Sequence, residues 1–197
     1  MARISRTAAL CVAASALVAL AGCASGNAGG GHPSPAARWA GSVCSSAQSL
    51  DRSLKKLTGK LIIRENVGQS TLAQAQQQLR TRSHAVEADA ARLAGAIDNA
   101  PPSGGRAVKK ARRDLAAVAD RSMRGAQQVR RAAAAVQAAR TPAQLMGAIT
   151  AAGSAVLGAV SDVRTLWKTL ERFASSGPPE LEDAFAHAPS CAALSGP

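Results

Sequence analysis

The side chains that could do chemistry in this sequence are few and scattered. There are three histidines, His32, His84 and His187, four cysteines, Cys11, Cys23, Cys44 and Cys191, and no tyrosine. A metal centre in a helical bundle needs inward-facing carboxylates and Glu-x-x-His motifs on paired helices, and the sequence contains no Glu-x-x-His. His84 and Glu87 stand three residues apart, yet both fall away from the apolar stripe of their segment and read as a surface pair. His187 follows Asp183 by four residues, again the spacing of a pair on a helix surface. His32 lies among Gly, Ser and Pro and reads as a solvated linker residue. There is no P-loop and no G-x-S-x-G, and no cysteine has a CxxC neighbour. Hydrolase and nucleotide-binding chemistry therefore lack residues to carry them. The expectation is a protein without cofactor or metal and without catalytic activity.

The cysteines instead speak of location. Arg3 and Arg6 precede an apolar segment from Ala8 to Ala21, too short for a permanent membrane span and right for the apolar region of a signal peptide. Cys11 is an apolar filler inside it. Leu20-Ala21-Gly22-Cys23 then resembles the bacterial lipobox, in which small residues admit the peptidase and the cysteine thiol carries diacylglycerol. The resemblance implies removal of residues 1–22, a lipidated Cys23 at the new amino end, and a site on the outer face of the cell membrane. Ser25 to Pro35, SGNAGGGHPSP, shows no apolar periodicity and reads as a flexible tether, so that residues 23–35 join the anchor to a helical domain at 36–197.

Loss of the signal leaves 175 of the 197 residues, enough for one domain with a sizeable core. It also takes Arg3 and Arg6 away, which lowers the formal charge from +12 to +10. Such a balance favours anionic surroundings: lipid head groups, wall polymers or an acidic envelope protein. Nucleic acid fits poorly, because an exported chain with only Trp39, Trp167, Phe173 and Phe185 offers little for bases to stack on.

Four long segments must position whatever is functional, and each places its larger apolar residues on one stripe at 100° per residue. The first carries Trp39, Val43, Ala47, Leu50, Leu54, Leu57 and Leu61, and NVGQS at 66–70 ends it. The second, from about Thr71 to Asn99, carries Leu72, Ala75, Leu79, Val86, Ala90, Leu93 and Ile97, and stops at Pro101-Pro102. The third, from about Arg106 to Ala139, should bury Val108, Ala111, Leu115, Val118, Ala126, Val129, Ala133 and Val136. Its opposite face holds Arg106, Lys109, Lys110, Arg113, Arg121, Arg124 and Arg131, relieved only by Asp120. Thr141-Pro142 opens the fourth, which turns Leu145, Ile149, Ala152, Val156, Val163, Trp167 and Leu170 inward and ends at SSGPP. Gly147, Gly153 and Gly158 weaken that helix, and either they allow close packing against a neighbour, the leading expectation, or they mark a looser helix. A short helix from about Pro179 to His187 follows. With short connections and no alternating pattern, the expected fold is all-α: an up-down-up-down four-helix bundle with a short C-terminal helix.

That topology brings the start of the first helix and the end of the fourth together. Cys44, off the apolar stripe, and Cys191 then become candidates for a disulfide in an oxidising compartment, with two reactive thiols as the alternative. The same end collects the aromatic residues as a plug, or alternatively as an aromatic ligand pocket. The basic third helix also begins there, near the tether. Attraction to anionic lipid would then contribute about 1 kcal/mol per basic residue close to the surface, and an ordinary solvated basic face is the alternative.

Over its whole length the chain resembles uncharacterised lipoproteins of high-GC Gram-positive (actinobacterial) bacteria. It shares a signal and lipobox, a Trp and Cys opening the first helix, and a closing Ala-Phe-x-x-Ala-Pro-Ser-Cys, here Ala184 to Cys191. The resemblance implies an envelope-facing helical domain and carries no catalytic residues. The leading expectation is a membrane-tethered interaction or envelope-structural module whose basic helix is its contact surface. The second is a small-molecule-binding bundle with an apolar cavity between helices.

Overall fold

The computed structural model describes residues 33–58 and 69–195. The signal peptide, Cys23, nearly all of the tether and Leu61 lie outside the described residues. What is described is helical: α1 (Pro35–Thr58), α2 (Gln69–Asp98), α3 (Arg106–Ala138), α4 (Pro142–Ser176) and α5 (Pro179–Ala186), then a 3-10 turn at Pro189–Ser195. All of it belongs to one compact unit, His32–Pro197.

The ends of these helices follow their local chemistry. Ser34 Oγ accepts from the Ala37 amide at 3.1 Å, so Pro35 is the first residue of α1 rather than the last of the tether. Thr141 Oγ1 accepts from the Gln144 amide at 3.2 Å with Pro142 at the first helical position. Gly177 and Pro178 separate α4 from α5, and Pro179 starts the latter.

Each long helix packs on the next in the chain, and α1 also touches α4. Hydrogen bonds mark where they meet. The Trp39 indole N–H donates to the Ile97 carbonyl at 3.3 Å, joining the start of α1 to the end of α2. Gln76 Nε2 donates to the Val136 carbonyl at 3.3 Å, and Gln137 Nε2 to the Gln76 carbonyl at 3.2 Å, joining the first half of α2 to the end of α3. Arg82 reaches back from α2 to the Lys56 carbonyl at 2.6 Å, supplying a donor to the exposed C-terminal end of α1.

One apolar cluster runs through the described residues, with Leu50, Leu54, Leu57, Leu93, Ile97, Leu115, Leu166, Leu170 and Phe185 fully buried. Each such side chain contributes about 1.5–3 kcal/mol of transfer free energy. All eight core residues expected of α3 are buried. The early part of α4 is thinner than expected: Leu145 and Ile149 are only half-buried, and Ala75 of α2 is exposed.

The glycines of α4 do not serve close packing. A Cβ built on Gly147, Gly153 or Gly158 would meet nothing within 4 Å. The close approach between α3 and α4 uses Gly125 instead, where a Cβ would lie 3.1 Å from Asp162 Oδ2 and 3.5 Å from the Ala159 Cα. Among the described residues α4 is also the helix long and apolar enough, by length and composition, to cross a bilayer, with a mean hydropathy of 1.5 over its most apolar window. Its Val156, Val163, Leu166 and Leu170 nevertheless pack into the common core.

Candidate functional site

Two features organise the surface: a cross-linked end and a basic side. At the first, the structure joins Cys44 to Cys191 with their Cα atoms 5.3 Å apart, across a separation of 147 residues. Cys44 lies off the apolar stripe of α1, yet it is fully buried. The cause is the returning carboxyl-terminal segment, which covers that side of α1. Gln48 Nε2 donates to the Ser190 carbonyl at 2.7 Å, and Ser190 Oγ donates to the Gly41 carbonyl at 2.6 Å. A Cβ on Gly41 would sit 3.4 Å from Ser190 Oγ, so the small residue lets the segment lie close.

Aromatic rings fill the space beneath. Trp39 meets Phe185 edge-on with centroids 5.9 Å apart, and Phe185 meets Phe173 at the same separation. Trp39, Phe173 and Phe185 are buried and belong to the core, as a plug does, although Phe173 also borders one of the hollows described below. Trp167, expected in the same group, is half-buried six residues before Phe173 and joins neither ring pair.

The basic side is α3. Arg106, Lys109, Lys110, Arg113, Arg121, Arg124 and Arg131 are all exposed. They fall in a sector of roughly 120°, opposite the buried stripe, along about 38 Å of helix. Asp120 is not their only relief, because Lys110 Nζ also pairs with Asp114 Oδ2 at 2.7 Å, one turn along. Two arginines of α3 outside this sector tie it to α2: Arg112 to Asp98 at 3.0 Å and Arg130 to Glu87 at 3.2 Å. Glu87 thus turns to α3 and not to His84, with which its spacing had paired it. His187 and Asp183 do pair on the surface, at 3.0 Å with both side chains 76% exposed.

Hollows on the described surface include two between helices. The smaller, about 220 Å³, lies where Phe173 and Gly177 of the α4 end face Ala107, Ala111 and Leu181. The larger, about 410 Å³, lies between α2 and α3 and is lined by arginines and a histidine as well as alanine. Neither this lining nor any periodicity within a single helix signals such a hollow in the sequence, because two helices must be in register to form it. Among the described residues no three of His, Cys, Asp and Glu come together as metal ligands would. Comparison of the chain with known protein families, with curated proteins and with solved structures returned no match.

Proposed function

We propose that this chain is a lipid-anchored, extracytoplasmic module that performs no catalysis and contacts an anionic partner through the outer face of α3. In this reading the four long helices form an up-down-up-down bundle, Cys23 carries the lipid, and residues 23–34 tether the domain to the outer face of the cell membrane. The anionic partner is a phospholipid surface, a wall polymer or an acidic envelope protein.

One observation supports the contact surface above all. Seven basic side chains stand exposed on the same side of one rigid helix, and among the described residues only Lys110 of the seven has an acidic partner. Exposed charges arranged so steer association and add affinity in a salt-dependent way. A small-molecule reading would draw on the α2/α3 hollow, whose lining is basic and not the apolar cavity that reading first suggested.

The test has two arms in a lipoprotein-processing host. Cys23→Ala should move the chain out of the membrane fraction, with mass spectrometry showing the lipid on Cys23 of the parent alone. Arg113→Glu, Arg121→Glu and Arg124→Glu together should leave the anchor intact and abolish salt-sensitive crosslinks to envelope components. Unchanged crosslinks in the triple variant would sink the α3 surface, and an unmodified parent chain would sink the anchor.

A further inference from the structure

The hollow between α2 and α3 is a built feature that shares only Arg131 with the outer face of α3. It exists because the helix surfaces carry small residues where they face each other: Ser83 on α2 and Ala133 and Ala134 on α3. It is braced at both ends. The Gln76 and Gln137 hydrogen bonds hold the helices together on one side, and the Arg130–Glu87 ion pair holds them on the other.

Its polar groups divide into two kinds. Ser83 Oγ already donates to the Arg80 carbonyl at 2.8 Å, and Gln137 Nε2 is spent on Gln76. Arg80, His84 and Arg131 are exposed at the rim, and among the described residues none of them has an acidic partner. Arg130 gives its Nε to Glu87, which leaves the two terminal nitrogens of its guanidinium to other acceptors. Three arginines therefore line one hollow, and the one carboxylate paired with any of them is that of Glu87. Like charges gathered this way repel, and an anion in the hollow relieves that repulsion.

The chemistry selects the anion. Guanidinium forks match the oxygens of phosphate in paired, charge-assisted hydrogen bonds. The hollow, at about 410 Å³, is in the range that takes a small organic ligand and exceeds what a bare ion needs. No aromatic residue lines it, so nothing is present to stack a nucleobase. We propose that the α2/α3 hollow is a binding site for a small phosphate ester, gripped by Arg80, Arg130 and Arg131, with His84 donating a further hydrogen bond and Ala133 and Ala134 as the floor. A free phosphate ester and a phospholipid head group share this chemistry. The site needs no Cys23 anchor and, Arg131 apart, none of the outer α3 face.

The full chain is titrated at constant ionic strength with inorganic phosphate, with glycerol 3-phosphate and with vesicles of phosphatidylglycerol, and binding is followed by calorimetry and by the shift in melting temperature. Ala134→Leu fills the hollow from an exposed position without changing charge. Arg80→Gln with Arg131→Gln removes two of the three grips, and Arg113→Gln with Arg124→Gln removes the same charge elsewhere on α3. Circular dichroism confirms that each variant is folded. Glycerol 3-phosphate should bind the parent and the 113/124 variant alike, and the other two variants should lose roughly tenfold or more in affinity, the scale of one lost charge-assisted hydrogen bond. Tighter hollow-dependent binding to vesicles than to the free ester identifies a head-group site, and the reverse identifies a soluble ligand. Binding of glycerol 3-phosphate that survives Ala134→Leu undiminished, or that is lost in the 113/124 variant alone, or no binding of any probe, overturns the proposal.

Discussion

Two buried polar side chains show how differently single residues are treated in this core. Asp89 is 4% exposed, but the Ser53 hydroxyl donates to one of its oxygens and the Arg92 guanidinium holds the other, so its charge is compensated from both sides. Ser122, 3% exposed on the inner face of α3, has a hydroxyl with no hydrogen-bond partner. A buried hydroxyl without a partner costs about 1–3 kcal/mol of desolvation, and serine is in addition a poorer helix former than alanine. Ser122→Ala is therefore expected to stabilise the fold by about 1 kcal/mol, which raises the melting temperature by about 2–4 °C in a domain of this size. Calorimetric melting checks it, and a fall in melting temperature would mean that the hydroxyl is satisfied after all.

At the scale of the element, what was readable in the sequence was which side of a helix faces in. The period of α3 identified every one of its eight expected core residues, because burial along a straight helix repeats with the helix itself. The basic face was readable for the same reason. The same period cannot say whether a neighbour stands opposite a given residue. It therefore gives no sign that Ala75 has no neighbour over it, that the α4 glycines face open space, or that the close approach is made at Gly125. The reach of Arg82 to the Lys56 carbonyl and the Arg130–Glu87 pair also depend on register between helices, which no single segment encodes. The glycines give a direct test. With open space where a Cβ would go, Gly147→Ala, Gly153→Ala and Gly158→Ala should each gain about 1 kcal/mol of helix propensity, and the triple variant should melt about 6–12 °C higher. Gly125→Ala should instead destabilise, since its Cβ would press on Asp162 and Ala159. Melting curves of the two variants that shift in the same direction would contradict this account of α4.

At the scale of the whole molecule, one covalent link spans nearly the entire helical domain. The Cys44–Cys191 bridge encloses a separation of 147 residues. On the chain-entropy account, closing a loop of that length removes about 5 kcal/mol of freedom from the unfolded chain. The folded state does not depend on the bridge for its local contacts. Gln48, Ser190 and Gly41 hold the carboxyl-terminal segment by hydrogen bonds, and Phe185 is anchored between Trp39 and Phe173. Cys44→Ser with Cys191→Ser, or reduction of the parent, should therefore leave helix content and the emission of the buried Trp39 nearly unchanged at low temperature. The effect belongs in the unfolding transition, as a stability loss of several kcal/mol and a lower midpoint in denaturant. The reduced protein should still unfold in one step, because the same apolar cluster runs through α1 to α5. If oxidised and reduced chains share one midpoint, the bridge contributes nothing to stability. If reduction releases the carboxyl-terminal segment before the rest melts, the hydrogen bonds and rings at that end are too weak to hold it without the covalent link.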